Sequence, residues 1–232
     1  MTITSSHNEK LKEIRRLARR RARDERGRFV AEGEDLVEAA AAAGWSPVHL
    51  MAAAGSGLDG DEVEESLLAG VSSLGSGTRQ LGVYEERWSA PRGPLCVALW
   101  GVGDPGNVGT ILRSARAFGA TSVALGPGCA DPYGPKAVRA SMGAIFELPV
   151  ARVAHVDELP GERVALVAHA GEPLAGPAAG ELSLLVGAER AGLAPDVVAA
   201  CDSVAHIPIA GESLNAAMAA TVALYELRMP RA

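Results

Sequence analysis

Three short segments of the sequence combine glycine with polar or charged side chains, each directly after an apolar run. Glycine lets the backbone N–H and C=O groups of a loop approach a ligand closely, and a carboxylate can accept hydrogen bonds from an arginine or a substrate. Such segments could therefore bind a small molecule and orient a reacting group. Their polar residues are Asn107 and Arg113 in the first segment, Glu189 in the second, and Ser213 and Asn215 in the third.

The first segment follows the apolar run 95–100 and is open to two interpretations. Its glycines have the GxGxxG spacing of a dinucleotide-binding loop, which would make the protein a nicotinamide-dependent oxidoreductase. That kind of site has an acidic residue at the end of its second strand, but this chain has Leu-Gly-Pro at 125–127 and Asp131 comes several residues too late. NAD binding is therefore kept only as an alternative. The glycines are Gly101, Gly103 and Gly106.

The same segment continues into residues with helical spacing. Arg113 would lie one turn after Gly109, on the same face of a helix. The missing side chain at position 109 should then leave room for a ribose or a phosphate beside the guanidinium group. The opposite, buried stripe of this helix is predicted to consist of Val108, Ile111, Leu112, Ala115 and Phe118.

Charge is unevenly distributed along the chain. The 232 residues have a formal net charge of -6, but residues 9–28 carry ten Lys and Arg against four Asp and Glu, a local balance of +6. Cations this dense repel one another unless an anion neutralises them. We therefore predict that residues 9–28, the basic arm, bind a nucleic acid, and we keep a non-catalytic RNA-binding protein as a second alternative. The predicted contacts are Arg15, Arg16, Arg19 and Arg20.

Cysteine and histidine spacing indicates neither disulfides nor a metal site. Cys96, Cys129 and Cys201 are far apart, and no two of the five histidines have the spacing of zinc ligands. The sequence begins with polar and charged residues, and no apolar run approaches the length that spans a bilayer. We expect reduced cysteines, no metal, no membrane contact and a cytoplasmic location.

The elements that position these residues fall into two units. Residues 1–90 have the pattern of a small α/β domain: a helix in the basic arm, a strand at 28–33, a helix at 34–44, a strand at 47–54 and a helix at 61–70. Residues 89–94 contain two prolines and a glycine, which is typical of a linker.

Residues 91–232 form the second predicted domain. Continuous apolar runs alternate with amphipathic segments, a pattern typical of a parallel sheet with helices on both faces, so the fold class is α/β. Ser213 is a plausible N-cap for the last helix. The strands are predicted at 95–100, 122–126, 163–169, 182–186 and 203–209, and the helices at 107–119, 135–146 and 213–228.

In order and position, the three segments resemble the motifs of the SpoU (TrmH-type) branch of the SPOUT superfamily of RNA 2'-O-ribose methyltransferases. N-x-G-x-x-x-R stands at 107–113 and G-x-E-x-x-G at 187–192, and the third motif runs from Ile207 to Asn215. The intervening residues 131–146 are also similar to the family, as is the region 95–228 as a whole. Through residues 10–40, the N-terminal unit resembles the family's ribosomal-protein-like substrate-binding domain, a likeness that covers about residues 8–85.

This resemblance implies a fold and a cofactor. The C-terminal parallel-sheet SPOUT domain would contain a deep trefoil knot, an exception to the rule that chains are unknotted, and a small α/β substrate-binding domain would precede it. The family is homodimeric, with its site at the subunit interface. S-adenosylmethionine would be bound by backbone groups of the second and third loops, at Val186, Gly187, Ile207, Ile209 and Leu214.

The resemblance also implies a reaction. A methyl group would pass to a ribose 2'-hydroxyl of ribosomal RNA or tRNA, with no metal required. Arg113 would contact the target nucleotide, either as the base or as a group that orients the phosphate and stabilises the developing alkoxide. Asn107, Glu189, Ser213 and Asn215 would position Arg113, the ribose and the cofactor.

Overall fold

The computed structural model describes residues 2–73 and 77–228 and contains two separate β-sheets. The first sheet is built from the N-terminal part of the chain. Its elements are α1 (Glu9–Leu17), α2 (Arg20–Arg26), β1 (Arg28–Glu32), α3 (Glu34–Ala42), β2 (His49–Ala53), β3 (Asp61–Val63), α4 (Glu65–Ala69) and β4 (Gln80–Glu85). The strand order is β1-β4-β2-β3, with β4 antiparallel to both β1 and β2.

The basic arm forms two helices, so the prediction of a single helix was wrong. α1 ends at Leu17, and the extended backbone of Arg19 redirects the chain into α2. The new direction allows Arg23 to reach Asp131, and its Nη1 donates to the carbonyl of Leu17 at 2.7 Å. This bond satisfies one of the carbonyls that every helix leaves free at its C-terminal end.

Residues 61–63 also differ from the sequence prediction, which placed them in a helix. They form the short strand β3, parallel to β2, and the side chain of Val63 is fully buried. Burial of Val63 between β2 and the strand-like contact of Ile3 favours the extended conformation, and the helix starts only at Glu65.

The second sheet has seven strands in the order β7-β6-β5-β10-β8-β11-β9, and all of its pairs are parallel. The predicted α/β class and parallel sheet are confirmed. The elements are β5 (Leu95–Leu99), α5 (Pro105–Ala117), β6 (Ser122–Leu125), α6 (Pro135–Ser141), α7 (Ala144–Glu147), β7 (Val150–Arg152), β8 (Glu162–Val167), β9 (Glu172–Pro173), β10 (Leu182–Val186), α8 (Pro195–Ala199), β11 (Ser203–His206) and α9 (Ala216–Leu227).

Several of these elements are absent from the sequence prediction. The edge strands β7 and β9 and the helix α8 are short, at two to five residues, and carry no clear periodicity. The helix predicted at 135–146 is divided because Met142 and Gly143 both have positive φ, of 48° and 89°. A Cβ at position 143 would lie 2.7 Å from that of Ala39, so the break lets this turn pack closely on α3.

α5 begins at Pro105, two residues before the predicted start at 107. Asp104 is its N-cap, accepting a hydrogen bond from the Asn107 N–H at 3.0 Å, and Pro105 occupies the first turn. The predicted buried stripe is confirmed, except that Phe118 is only half-buried. Gly109 has a different role from the predicted one, because a Cβ there would lie 2.3 Å from the carbonyl oxygen of Ala137. It permits close packing of α5 on α6 and leaves no space for a substrate.

The parallel sheet is covered on both faces. Alternate residues of its strands point to opposite faces, so Val97 and Leu184 join one core cluster while Ala98 and Leu185 join another. The first cluster also includes buried residues of the N-terminal part, and both parts of the chain share this core.

Aromatic side chains form the centre of this shared core. The Trp45 Nε1 donates to the Phe146 carbonyl at 2.7 Å, across the boundary between the two parts. Burial raises the pKa of Tyr84 to about 12 and that of Tyr133 further still, so both rings stay neutral at physiological pH. The rings in mutual contact are Phe29, Trp45, Tyr84, Tyr133 and Phe146.

The start of the predicted linker is attached to the second sheet. The Ser89 N–H donates to the Val150 carbonyl at 2.9 Å, and Trp88 forms a parallel bridge with the same residue of β7. Within residues 2–73 and 77–228, no helix combines the length and apolar character needed to cross a membrane.

Candidate active site

A cavity of about 350 Å³ lies at the carboxyl ends of β8, β10 and β11, beside the start of α9. The structure places all five residues predicted to hold a cofactor in its wall, together with Glu189 and Ser213 from the predicted catalytic set. Carboxyl ends of parallel strands are where open α/β sheets commonly bind ligands. The predicted cofactor residues are Val186, Gly187, Ile207, Ile209 and Leu214.

The loop after β10 supplies much of this wall. Ala188 and Gly192 exchange two backbone hydrogen bonds, of 3.1 and 2.9 Å, which fold the loop back onto its own start. A Cβ at Gly187 would lie 2.3 Å from the carbonyl carbon of Gly192, so a larger residue there would open the loop. Gly187 therefore acts first on the shape of the loop and only through it on the cavity.

A polar network connects the three motifs. The Asn107 side-chain amide donates to Glu189 Oε1, and the Asn215 amide donates to the Asn107 Oδ1 at 3.3 Å. Asn215 is also the N-cap of α9, since its Oδ1 accepts from the N–H of Ala217 at 2.9 Å. The plausible N-cap role of Ser213 was thus wrong, and Ser213 is an exposed residue at the cavity wall.

Asp104 and Lys136 support this network from α5 and α6, and the sequence prediction missed both. One Asp104 oxygen caps α5 at Asn107, and the other accepts from the Lys136 Nζ at 2.7 Å. The hydrogen bond from Lys136 holds the pKa of Asp104 below its usual range. The carboxylate therefore stays ionised and keeps the start of α5 in place.

Arg113 stands apart from the network. It is exposed on α5, does not line the cavity, and makes no hydrogen bond or ion pair with any residue that the structure describes. An arginine without such a partner, about one and two-thirds turns from Asn107, is available for a ligand from outside the chain. Of the five predicted catalytic residues, Asn107, Glu189 and Asn215 are in contact, while Arg113 and Ser213 are not part of that network.

The basic arm is largely neutralised by the protein itself. Six of its cations form ion pairs of 2.5–3.5 Å with carboxylates: Lys10, Lys12, Arg21, Arg23, Arg26 and Arg28. Arg15, Arg16 and Arg19 are exposed and pair with no carboxylate in the described part of the chain, and Arg20 is 3.7 Å from Asp24. Among the described residues, the cations of the arm with no carboxylate within 3.5 Å are thus the four singled out from the sequence.

The cavity also contains residues that the sequence prediction missed. Leu166, Val167 and Ala168, at the end of β8, form part of its wall. They have no chemical signature of their own. Their position could have been inferred only from the strand order, which places β8 between β10 and β11.

Comparison with known families assigns both parts of the chain. Residues 94–225 match the SpoU rRNA Methylase family, and residues 8–81 match the MRM3-like substrate binding domain. The 23S rRNA (guanosine(2553)-2'-O)-methyltransferase of Bacillus subtilis is 31% identical over 97% of this chain and 98% of its own length. The 23S rRNA (uridine(2479)-2'-O)-methyltransferase of Streptomyces viridochromogenes is 40% identical over 53% of this chain and 48% of its own.

Solved structures agree with the sequence matches. An AdoMet-bound rRNA methyltransferase from Sinorhizobium meliloti has a TM-score of 0.86 at 31% identity, covering 97% of this chain and 96% of that one. The SpoU methyltransferase AviRb of Streptomyces viridochromogenes, in complex with AdoMet, has a TM-score of 0.84 at 28% identity, covering 95% and 97%. The match over more than half of the chain and the full-length likeness lead to one conclusion. The chain belongs to the SpoU rRNA methylase family.

Proposed function

We propose that the protein transfers a methyl group from S-adenosylmethionine to a ribose 2'-hydroxyl of ribosomal RNA. The observation that carries this proposal is the single cavity wall formed by the second and third motifs, joined by the Asn107–Glu189 hydrogen bond to the helix that bears Arg113. Relatives whose names specify 2'-O-methylation of 23S rRNA support ribosomal RNA over tRNA. Neither the non-catalytic alternative nor the nicotinamide alternative is favoured by any relative above.

The residues of the cavity fit S-adenosylmethionine. A volume of about 350 Å³ is within the range of small-molecule sites, and the wall offers apolar strand ends and glycine-rich backbone. Val186, Ile207 and Leu214 would contact the cofactor's apolar surface, while the loop of Gly187 would offer backbone groups. When bound there, S-adenosylmethionine supplies an electrophilic methyl group on a positively charged sulfur.

The protein's own residues would then align the ribose and deal with one proton. As the bond between the 2'-oxygen and the methyl carbon forms and the carbon–sulfur bond breaks, the hydroxyl proton must leave. A guanidinium group is a very poor base, so we assign Arg113 to holding the target phosphate and stabilising the developing negative charge, with the proton passing to water. Asn107, Glu189 and Asn215 would fix the start of α5 and α9 around the ribose.

The test is methyl transfer itself. Protein with radiolabelled S-adenosylmethionine is expected to label ribosomal RNA from a strain that lacks the gene, at one ribose, mapped as a 2'-O-methyl site. S-adenosylmethionine at one hundred times its Kd should also stabilise the fold by about 2.7 kcal/mol in thermal denaturation. Stabilisation by NADH but not by S-adenosylmethionine, with no labelled RNA, would show that the proposal is wrong.

We assign RNA binding to residues 1–90 and catalysis to residues 91–232. The four open cations of the basic arm support this division, because an otherwise acidic protein needs a local positive patch to approach RNA. Replacing Arg15, Arg16, Arg19 and Arg20 together with glutamine should weaken RNA binding and flatten its dependence on salt. Filter binding over a range of salt concentrations measures both.

Two features make the arm experiment selective. Glutamine is a comparable helix former, so α1 and α2 should survive, and S-adenosylmethionine affinity should stay at the parental value. If the fourfold variant has the RNA affinity and salt dependence of the parent, the basic arm does not bind RNA and is an ordinary solvated surface.

We further propose a homodimer formed through α9. Met218, Val222 and Tyr225 lie on one stripe of this helix, at spacings of four and three residues, and are 60%, 44% and 54% exposed. Phe118 meets Tyr225 edge-on at 5.9 Å and extends the apolar area. A second copy bound here would cover the stripe and bring α5 and Arg113 close to the interface.

Met218→Glu is expected to convert the dimer to a monomer in light scattering, because a buried unpaired carboxylate would cost about 2 kcal/mol or more at the interface. Met142→Glu is the matched control, since Met142 is 53% exposed and lies outside the stripe. A parent protein that is already monomeric and fully active would contradict the proposal.

For the backbone path, we propose the trefoil knot of the superfamily. It is supported by the full-length likeness to SpoU structures and by the close approach of residues 176–178 to the end of α9, where the Ala178 N–H donates to the Leu227 carbonyl at 3.3 Å.

A further inference from the structure

A second cavity, of about 290 Å³, lies where the N-terminal part of the chain meets the parallel sheet. We call it the junction cavity. Its wall combines Arg20 of α2 and Trp88 with residues 125–132 and 152–154, which begin at the last residues of β6 and β7. None of its residues belongs to the three motifs.

The junction cavity opens at the same edge of the sheet as the active-site cavity. β6 is two strands from β10, which corresponds to about 10 Å at the usual strand spacing. The strand between them, β5, leads into the loop 100–104, and that loop is bonded to the cavity wall: the Gly101 N–H donates to the Pro127 carbonyl at 3.0 Å. The loop then continues into α5, which carries Asn107. The two cavities are therefore neighbours along one edge.

A cationic stacking surface borders the junction cavity. The guanidinium carbon of Arg152 lies 3.8 Å from the centre of the Trp88 ring, and the Arg152 side chain is 54% exposed. The Trp88 Nε1 donates to the Glu86 carboxylate at 2.8 Å, which fixes the indole. One face of the guanidinium is thus held against the ring while much of the side chain stays open to solvent. Guanidinium planes of this kind stack with unpaired RNA bases.

Arg20 provides a second cation in the wall of the cavity. Arg20 and Arg152 both approach Asp24, at 3.7 and 3.6 Å, which is longer than a charge-assisted hydrogen bond. Each side chain is more than half exposed, so a phosphate could replace these weak contacts with shorter ones. Of the other nearby carboxylates, Asp131 accepts two hydrogen bonds from Arg23, and Glu86 accepts the hydrogen bond from Trp88.

The backbone of the wall is shaped by glycine. A Cβ at Gly126 would lie 2.4 Å from the Trp100 ring, and Gly128 has a φ of 78°. The loop after β6 can therefore pass close to the ring and turn sharply beneath the cavity.

From this geometry we propose that the junction cavity binds one unpaired nucleotide of the RNA, next to the nucleotide that is methylated. Its base stacks on the Arg152 guanidinium, and its phosphate pairs with Arg20. This inference rests on the proposed function for the identity of the ligand. It assigns the specificity for the sequence or shape around the methylation site to Arg152, Trp88 and Arg20.

The experiment combines protein variants with base removal. Footprinting on ribosomal RNA defines a short protected fragment, and synthetic copies of it carry an abasic residue at each position in turn. For the parent protein, base removal at one position should weaken binding about tenfold, the loss of one stacked base. For Arg152→Gln, binding of the intact RNA should be about tenfold weaker, and removal of that same base should add little.

Arg79→Gln is the matched control, because Arg79 is 56% exposed and its ion pair with Glu34 spans 3.4 Å. It should bind RNA like the parent and respond to the abasic residue like the parent. In turnover assays Arg152→Gln should raise KM for RNA about tenfold with kcat within about twofold. Arg20→Gln provides a second variant that leaves the stacking surface intact and should reproduce the loss of affinity.

The binding measurements require no methyl transfer, so they test the junction cavity separately from the proposed function. A parent protein that binds the fragment but methylates nothing would refute the proposed function and leave the base-removal comparison decisive. If base removal at every position weakens the parent and Arg152→Gln by the same factor, the junction cavity holds no nucleotide and the inference is overturned.

Discussion

Arg113→Ala is expected to lower kcat for RNA methylation by about two to four orders of magnitude, which is the effect of removing a group that acts on the reacting atoms. S-adenosylmethionine affinity should stay near the parental value, because Arg113 is absent from the cavity wall and from the Asn107–Glu189 network. Single-turnover methylation and calorimetric titration with the cofactor measure the two quantities separately.

Arg116→Ala is the matched control for this change. Arg116 is exposed on the same helix, less than one turn further on, and pairs with Glu147 at 2.6 Å. It should methylate normally. Arg113→Lys adds a second comparison, since it keeps the positive charge and should retain more activity than alanine if charge stabilisation is the role. Near-parental turnover by Arg113→Ala would remove this residue from the mechanism.

Arg23→Ala should destabilise the fold by about 3–5 kcal/mol in urea denaturation, which would make it one of the most damaging single changes in the chain. The Arg23 and Asp131 side chains are only 5% and 7% exposed. Two hydrogen bonds, of 2.9 and 2.7 Å, join them, so removal of the guanidinium leaves a buried, unpaired carboxylate. The change also frees the carbonyl of Leu17 at the end of α1.

Arg21→Ala measures the same loss of charge at the surface. The Arg21 side chain is 91% exposed, and its ion pair with Glu25 is solvated, so the change should cost less than about 1 kcal/mol. Arg23→Met combined with Asp131→Asn should recover part of the stability lost in Arg23→Ala, because it removes both charges. If Arg23→Ala and Arg21→Ala lower the free energy of unfolding equally, the buried ion pair stabilises the fold no more than the exposed one.

The residues of the candidate active site were easier to predict from the sequence than the fold that surrounds them. The resemblance of the chain's motifs to those of the family located Gly187, Ile207 and Leu214, and the structure has them in one cavity wall. Motifs are local, and each follows a strand whose apolar run is visible in the sequence. The strand order brings the carboxyl ends of these strands together. It depends on long-range packing and has no signal in the local sequence.

Errors arose where a contact between distant residues overrode local pattern. The basic arm has helical spacing throughout, but the helix is interrupted at Arg19. The change of direction there lets Arg23 pair with Asp131, which is 108 positions away. Gly109 was interpreted as space for a substrate, because its helical neighbour α6 cannot be identified from residues 107–113. Asn215 replaced Ser213 as the N-cap, a shift of two residues of the kind that helix boundaries often show.

The shared aromatic core has a consequence for engineering and for evolution. Exchanging the first 90 residues between relatives is an obvious route to retargeting such an enzyme, and the predicted linker at 89–94 suggests a place to join the two parts. In this protein the graft would remove Phe29, Trp45 and Tyr84 from contact with Tyr133 and Phe146 of the other part. A working chimera must therefore carry its docking partners at 133 and 146 along with the new domain, and changes in substrate range across the family are expected to involve both sides of the junction together.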